Sequence, residues 1–171
     1  ANGYTETTYE ALCEATGVGR QSLVYKFGSK REMFVRALCA YETDVVGRVC
    51  AALEQSSDGR SGIEAAFELW QESANASVGC LMVSTAADAG TSDPEILMIV
   101  QRGRERLIKA FSGALERARG AGQLRENFSV ETVSALAVAC GDGCLAYARS
   151  PGAAGFAALA FSGFLATVFV Q

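Results

Sequence analysis

The chemistry open to this chain is bounded first by a missing residue type: no histidine occurs in its 171 residues. That removes Ser-His-Asp and Cys-His nucleophilic arrangements and leaves a zinc ion only cysteine and carboxylate ligands. The cysteines are Cys13, Cys39, Cys50, Cys80, Cys140 and Cys144. No two form a C-x-x-C pair, and several fall within apolar helical patterns. They read as reduced core thiols rather than a disulfide framework. Cys80 has a sharper alternative as a sensor of an oxidant or electrophile. Cys140 and Cys144 lie one helical turn apart, but no third and fourth ligands accompany them. Gly17-x-Gly19 has no further glycine at the dinucleotide-motif position and follows no strand. No catalytic residue, metal or cofactor is expected, and the chain does not read as an enzyme.

The residues that could act lie in one short segment. From Gly17 to Arg31 the chain carries Arg20, Lys26, Lys30 and Arg31 and no acid, although its net charge is −4. Any affinity for nucleic acid must come from such a local patch. The cations are interleaved with Gln21, Ser22 and Tyr25, which can reach base edges and phosphates, while Leu23, Val24 and Phe27 are expected to anchor the segment. A recognition helix needs that division: one face packs and the other enters the major groove. Arginine can pair with guanine O6 and N7, and glutamine with adenine N6 and N7. The bland alternative is a solvated basic helix end.

The elements that must position this segment read as helices throughout. Thr7-x-x-Glu10 is a capping box, expected to start a short helix with Leu12 and Ala15 inward. Gly17-Val18-Gly19 breaks it, a second short helix runs from about Arg20 to Phe27, and Gly28 ends that one. Ser29-x-x-Glu32 opens a long helix through Met33, Phe34, Ala37, Leu38, Tyr41 and Val45 to about Leu53. Helix N-termini at Thr8 and Lys30 offer backbone N–H groups to phosphates. Gln55 to Gly62 reads as a loop. Ile63, Phe67, Trp70 and Ala74 then recur at helical spacing, and a short apolar segment follows Gly79 and reaches about Ala89. Asp93-Pro94-Glu95 is a strong start for a helix that fades near Gly120. Ser129 caps another, with Val133, Leu136, Ala137, Cys140, Cys144 and Ala148 on one face. The last helix, about Ala153 to Val170, is apolar nearly all round. No charge occurs from Ser150 to Gln171, but Pro151, Gly152, Gly155 and Gly163 favour a buried packing helix over a membrane span.

The run from Thr7 to Lys30 resembles the DNA-binding signature of the tetracycline-repressor (TetR) family. Shared features are a Thr opening the second helix, Gly17-Val18 at the turn, Ser22-Leu23 in the third helix, Tyr25-x-Phe27 at its end, and Ser29-Lys30 opening the fourth. The likeness covers about Gly3 to Leu38. Two departures stand out. Val24 occupies the place after the third-helix Leu where the family usually has Tyr, and the family's first helix would precede Gly3-Tyr4. It is therefore expected in residues N-terminal to this chain.

The resemblance implies an all-α fold: a helix-turn-helix DNA-binding domain over residues 1–38, joined by a long helix to an effector-binding and dimerisation domain over residues 39–171. It implies contacts to double-stranded operator DNA from Thr7, Thr8, Arg20, Gln21, Ser22, Tyr25, Lys26 and Lys30. It also implies a homodimer through the last two helices, a cytoplasmic location, and repression relieved by a small hydrophobic effector. A lone subunit would then expose Phe156, Leu159, Phe164 and Val168. The residues read as lining the effector site are Phe67, Trp70, Cys80, Met82, Met98, Phe111 and Tyr147. Arg102, Arg104 and Arg106 with Glu105 read as a solvated face, with anion binding as the alternative. The competing reading is a helical ligand-binding or interaction module without operator binding.

Overall fold

The computed structural model describes residues 3–88 and 92–170. The chain folds as α1 (Gly3–Glu6), α2 (Tyr9–Thr16), α3 (Arg20–Phe27), α4 (Lys30–Tyr41), a π-turn (Glu42–Val46), α5 (Gly47–Gln55), α6 (Gly59–Asn75), α7 (Leu81–Ala87), α8 (Pro94–Gly120), α9 (Val130–Tyr147) and α10 (Ala153–Val168). Among the described residues there is no β-strand; a single antiparallel bridge joins Leu124 to Phe169. The expected end of the short apolar segment, at Ala89, lies outside the described residues.

Local chemistry explains most boundaries. The Ser29 hydroxyl accepts the Glu32 N–H while the Glu32 carboxylate accepts the Ser29 N–H, a complete capping box. Asp93 accepts from Glu95 N–H at the start of α8, with Pro94 at the first position. Ser129 caps α9 through the Thr132 N–H. The first cap falls one residue later than expected: Thr8, not Thr7, accepts the Ala11 N–H. The loop after α5 is also shorter than expected, because Asp58 caps α6 at Gly59. Gly17 closes α2 in the left-handed region (φ 67°), where a side chain would be strained.

The long helix is continuous through α4 and α5, but a π-turn interrupts its period. It brings Glu42 to the buried side, where its carboxylate meets Arg102 at 2.9 Å and also Arg106, both on α8. Those arginines are therefore not a plain solvated face. They neutralise a carboxylate that would be costly to bury alone. Burial on its own would raise the Glu42 pKa, but hydrogen bonds from Arg106 and Arg102 outweigh it and hold the group below its ordinary value. Arg104 pairs instead with Asp142 of α9, at 3.0 Å.

The core lies between α5, α6, α8, α9 and α10. At its centre Phe67 stacks on Phe161, with ring centroids 4.5 Å apart, and meets Phe164 edge-on at 5.1 Å. Trp70 and Phe111 lie 5.5 Å apart beside them. Gly141 of α9 lets the helix pass directly over the Trp70 ring, where a methyl group would collide. Val168 and Phe164 are buried within the subunit, a correction to the patch expected from the last helix. A helix apolar all round carries no polar face to mark its outside. Here Phe156 and Leu159 face out, Leu159 with 73% of its surface exposed. On α9, Leu136 is likewise exposed rather than packed. The described helix long and apolar enough to cross a bilayer is α9, which instead contributes Val133, Ala137, Val138 and Cys144 to the core.

Candidate nucleic-acid interface and effector cavity

Leu23 is the buried residue of α3. At about 100° per residue, Gln21 and Tyr25 fall opposite it, with Ser22 and Val24 on the flanks. Tyr25 is 95% exposed, and a shallow open groove runs between Gln21, Ser22, Tyr25 and Lys26. Arg20, Gln21, Ser22, Tyr25 and Lys26 are all exposed. The Arg20 guanidinium lies 4.6 Å from the centre of the Tyr9 ring of α2, a cation–π contact that sets its direction. Thr8 is exposed at the α2 cap and Thr7 is half-buried beside it. The Lys30 ammonium donates to the Thr5 carbonyl at 3.2 Å and sits 4.8 Å over the Tyr4 ring, so it is held at the edge of the same surface.

Two expectations about packing do not hold. Ala15 is exposed, and α2 instead turns Tyr9, Leu12 and Cys13 inward. Ala15 lies two positions past Cys13, about 200° round the helix. Val24 does not anchor α3; it is 42% exposed on the outer side. The sequence signal that was available is its place, since Val24 adjoins Leu23 and a short helix has only one inward stripe.

A second feature lies behind this surface. A cavity of about 40 Å³ is lined by the end of α4, the π-turn and α5 to α9. Trp70, Cys80 and Met82 line it. Phe67 and Phe111 belong to the packed aromatic cluster beside it. Met98 and Tyr147 are not on its wall: Met98 is 63% exposed, and Tyr147 sits on the surface edge-on to Phe156 at 5.5 Å. Helical spacing alone does not tell which side of α8 or α9 faces inward. The wall also takes Tyr41, Val45, Val46, Arg104 and Asp142. Burial raises the Asp142 pKa, with Arg104 opposing it, and burial followed by the neighbouring Cys80 raises that of Tyr41. The polar break at Glu42 in an apolar stripe was the sequence sign of this region.

Cys140 and Cys144 are poor metal ligands as they stand. Burial raises both thiols, Cys144 to about 11, so at neutral pH they remain protonated.

The helices α1 to α4 are tied to the cavity-bearing bundle. Arg31 of α4 bonds Asp93 and Glu95 at the start of α8. The Thr5 hydroxyl donates to Asp88, just past α7, at 2.9 Å. One end of α7 therefore touches α1 while its other end, at Met82, lines the cavity.

A helical bundle carrying an exposed recognition helix defines a helix-turn-helix regulatory protein. Residues 1–37 match the family described as "Bacterial regulatory proteins, tetR family". Residues 59–161 match that described as "Tetracyclin repressor-like, C-terminal domain". The chain belongs to the TetR family of DNA-binding transcriptional regulators. It is 31% identical over 141 residues to an uncharacterized HTH-type transcriptional regulator, YezE, of Bacillus subtilis (strain 168), covering 79% of this chain and 70% of that protein. Its fold is that of a TetR family regulator from Agrobacterium tumefaciens, with a TM-score of 0.90 at 19% identity, covering 99% of this chain and 90% of that one. It is similar also to a cysteine mutant of the TetR family regulator CifR, solved with 26 bp double-strand operator DNA. There the TM-score is 0.80 at 22% identity, over 98% of this chain and 89% of that one.

Proposed function

We propose that this protein is a dimeric repressor that reads a palindromic operator with α3 and releases it when a small, largely apolar molecule enters the cavity behind the head. It would act in the cytoplasm, where the operator is. The observation that carries this reading is the outer face of α3, where Gln21, Ser22, Tyr25 and Lys26 stand clear of the core with Arg20 directed by Tyr9. Thr7, Thr8 and Lys30 would add phosphate contacts at its edges. In this account residues 1–38 read DNA and residues 39–171 bind the effector and dimerise, with the helix crossing that boundary unbroken as the connector.

Dimerisation is supported by the faces that α9 and α10 leave open. Leu136, Tyr147, Phe156 and Leu159 are at least 46% exposed, and α10 carries no charge. Soluble single subunits seldom leave such a patch uncovered. A second copy placing the same pair against it gives a four-helix interface and spaces the two reading heads for a palindrome.

Release is supported by the cavity's size and walls. At about 40 Å³ it is far below the roughly 300 Å³ of small ligand sites. A ligand must therefore displace its walls, and one wall is the π-turn at the end of α4. The coupling required is about 1–3 kcal/mol. Trp70, the sole tryptophan, lines the cavity and reports entry. Titrating small apolar compounds should change its emission and release labelled operator over one concentration range. A saturating emission change with operator affinity constant would reject the switch.

A further inference from the structure

Val24 is an apolar side chain on a surface otherwise built for polar contact. It is 42% exposed and lies outside the hydrophobic core and the residues packed against it. Leu23 is buried and Phe27 half-buried on the inner side of α3, whereas Val24 is exposed and has no anchoring task. A β-branched residue at an exposed helical position also gains nothing in helix propensity. Its location is informative. Val24 is one turn beyond Gln21 and Arg20, neighbours whose Cβ atoms lie roughly 5–6 Å away at i−3 and i−4. It shares the outer side of α3 with Tyr25.

An isopropyl group offers neither donor nor acceptor. On the base edges of the major groove, the apolar group it can favour is the C5 methyl of thymine. We propose that Val24 is a specificity-determining residue of the recognition helix, reading a thymine methyl next to the base that Gln21 contacts. The inference rests on α3 entering the major groove. With Gln21 suited to adenine on the same flank, each half-site should hold an A·T-containing step beneath this pair.

The test uses the full chain and the tightest duplex it selects from a randomised double-stranded library. Each thymine is replaced in turn by deoxyuridine, which removes only the methyl. For the wild type, one position in each half-site should lose roughly three- to fivefold in affinity, the worth of one buried methyl. Val24→Ala should lose a similar amount on the thymine duplex and become indifferent to uracil at that position alone. Val24→Ile keeps a branched apolar group and should still discriminate. Both variants should melt with the wild type, since the side chain is not in the core. If Val24→Ala discriminates thymine from uracil at every position as the wild type does, the proposal is overturned while operator binding stands. If the library yields no preferred duplex, the underlying reading of α3 fails instead.

Discussion

Arg31, the second residue of α4, grips Asp93, the residue that caps α8. Its Nε and Nη2 both donate to that carboxylate, the latter at 2.9 Å, and Nη2 also reaches Glu95 at 2.7 Å. The arginine holds the Asp93 carboxyl below its ordinary pKa. One cation of the basic patch is thus already neutralised by the start of α8. The patch is not uniform, and its members should differ in how they respond to salt.

Lys26→Ala should weaken binding to all duplexes and reduce the slope of log affinity against log salt by about one, as the loss of a phosphate contact requires. Arg31→Ala should leave that slope unchanged. Binding isotherms across a salt series separate the two. Equal changes in slope would mean that Arg31 leaves Asp93 for phosphate in the complex.

Arg20 is aimed by Tyr9, with the Glu10 carboxylate of the same helix α2 close enough to interact with its charge. If it reads guanine, Arg20→Ala should cost about 1–3 kcal/mol on the preferred operator and flatten the preference at that base. Affinity for the preferred duplex equal to the wild type's would remove Arg20 from the reading face.

The acid limb of stability should be carried in part by Glu42. Its folded pKa is depressed by Arg106 and Arg102 against the opposing effect of burial. A depressed carboxylate contributes fully above its unfolded pKa, and the contribution is lost as pH falls through the folded value. Glu42→Gln should therefore lower stability at pH 7 by about 1–3 kcal/mol. It should also flatten the decline in stability as pH falls below about 5. Urea melts of both proteins across that range make the comparison. Parallel curves would mean that the pair contributes no pH dependence.

The last helix, α10, should respond oppositely to the same substitution at two of its positions. Leu159 is exposed, so Leu159→Glu should leave a folded chain that sediments as a monomer and binds a palindrome poorly. Phe164 is buried against Phe67, so Phe164→Glu should unfold the bundle by placing an unpaired charge in its core. A wild type that sediments as a monomer at micromolar concentration would contradict the dimer.

What was legible in the sequence was mostly local. Ser29 with Glu32, Asp93 with Pro94, and Ser129 each announce a helix start because the cap is made by residues three or fewer apart. The span Arg20 to Phe27 followed from the glycines at either end. What stayed hidden depends on distant partners. The π-turn answers to Glu42 meeting Arg102 and Arg106, some sixty residues away. Periodicity cannot orient α10, where apolar residues occur on every side, and only packing selects Phe164 and Val168 as its buried residues. Met98 and Tyr147 face outward, apolar or aromatic residues on helices whose inward face only packing selects. Val24 beside Leu23 could have been placed outward from the width of one stripe.

The most direct test of the account measures affinity for the duplex selected from a random library against a scrambled duplex of equal composition, over a range of salt. The account predicts an inverted repeat with half-sites about 10 bp apart, or a multiple of that. It predicts a preference of at least roughly a thousandfold over the scrambled duplex. Affinity should fall steeply with salt, and the preference should be lost when α3 carries alanine at Gln21 and Tyr25. Equal binding to both duplexes, or none at physiological salt, would contradict it and leave a helical ligand-binding module without an operator.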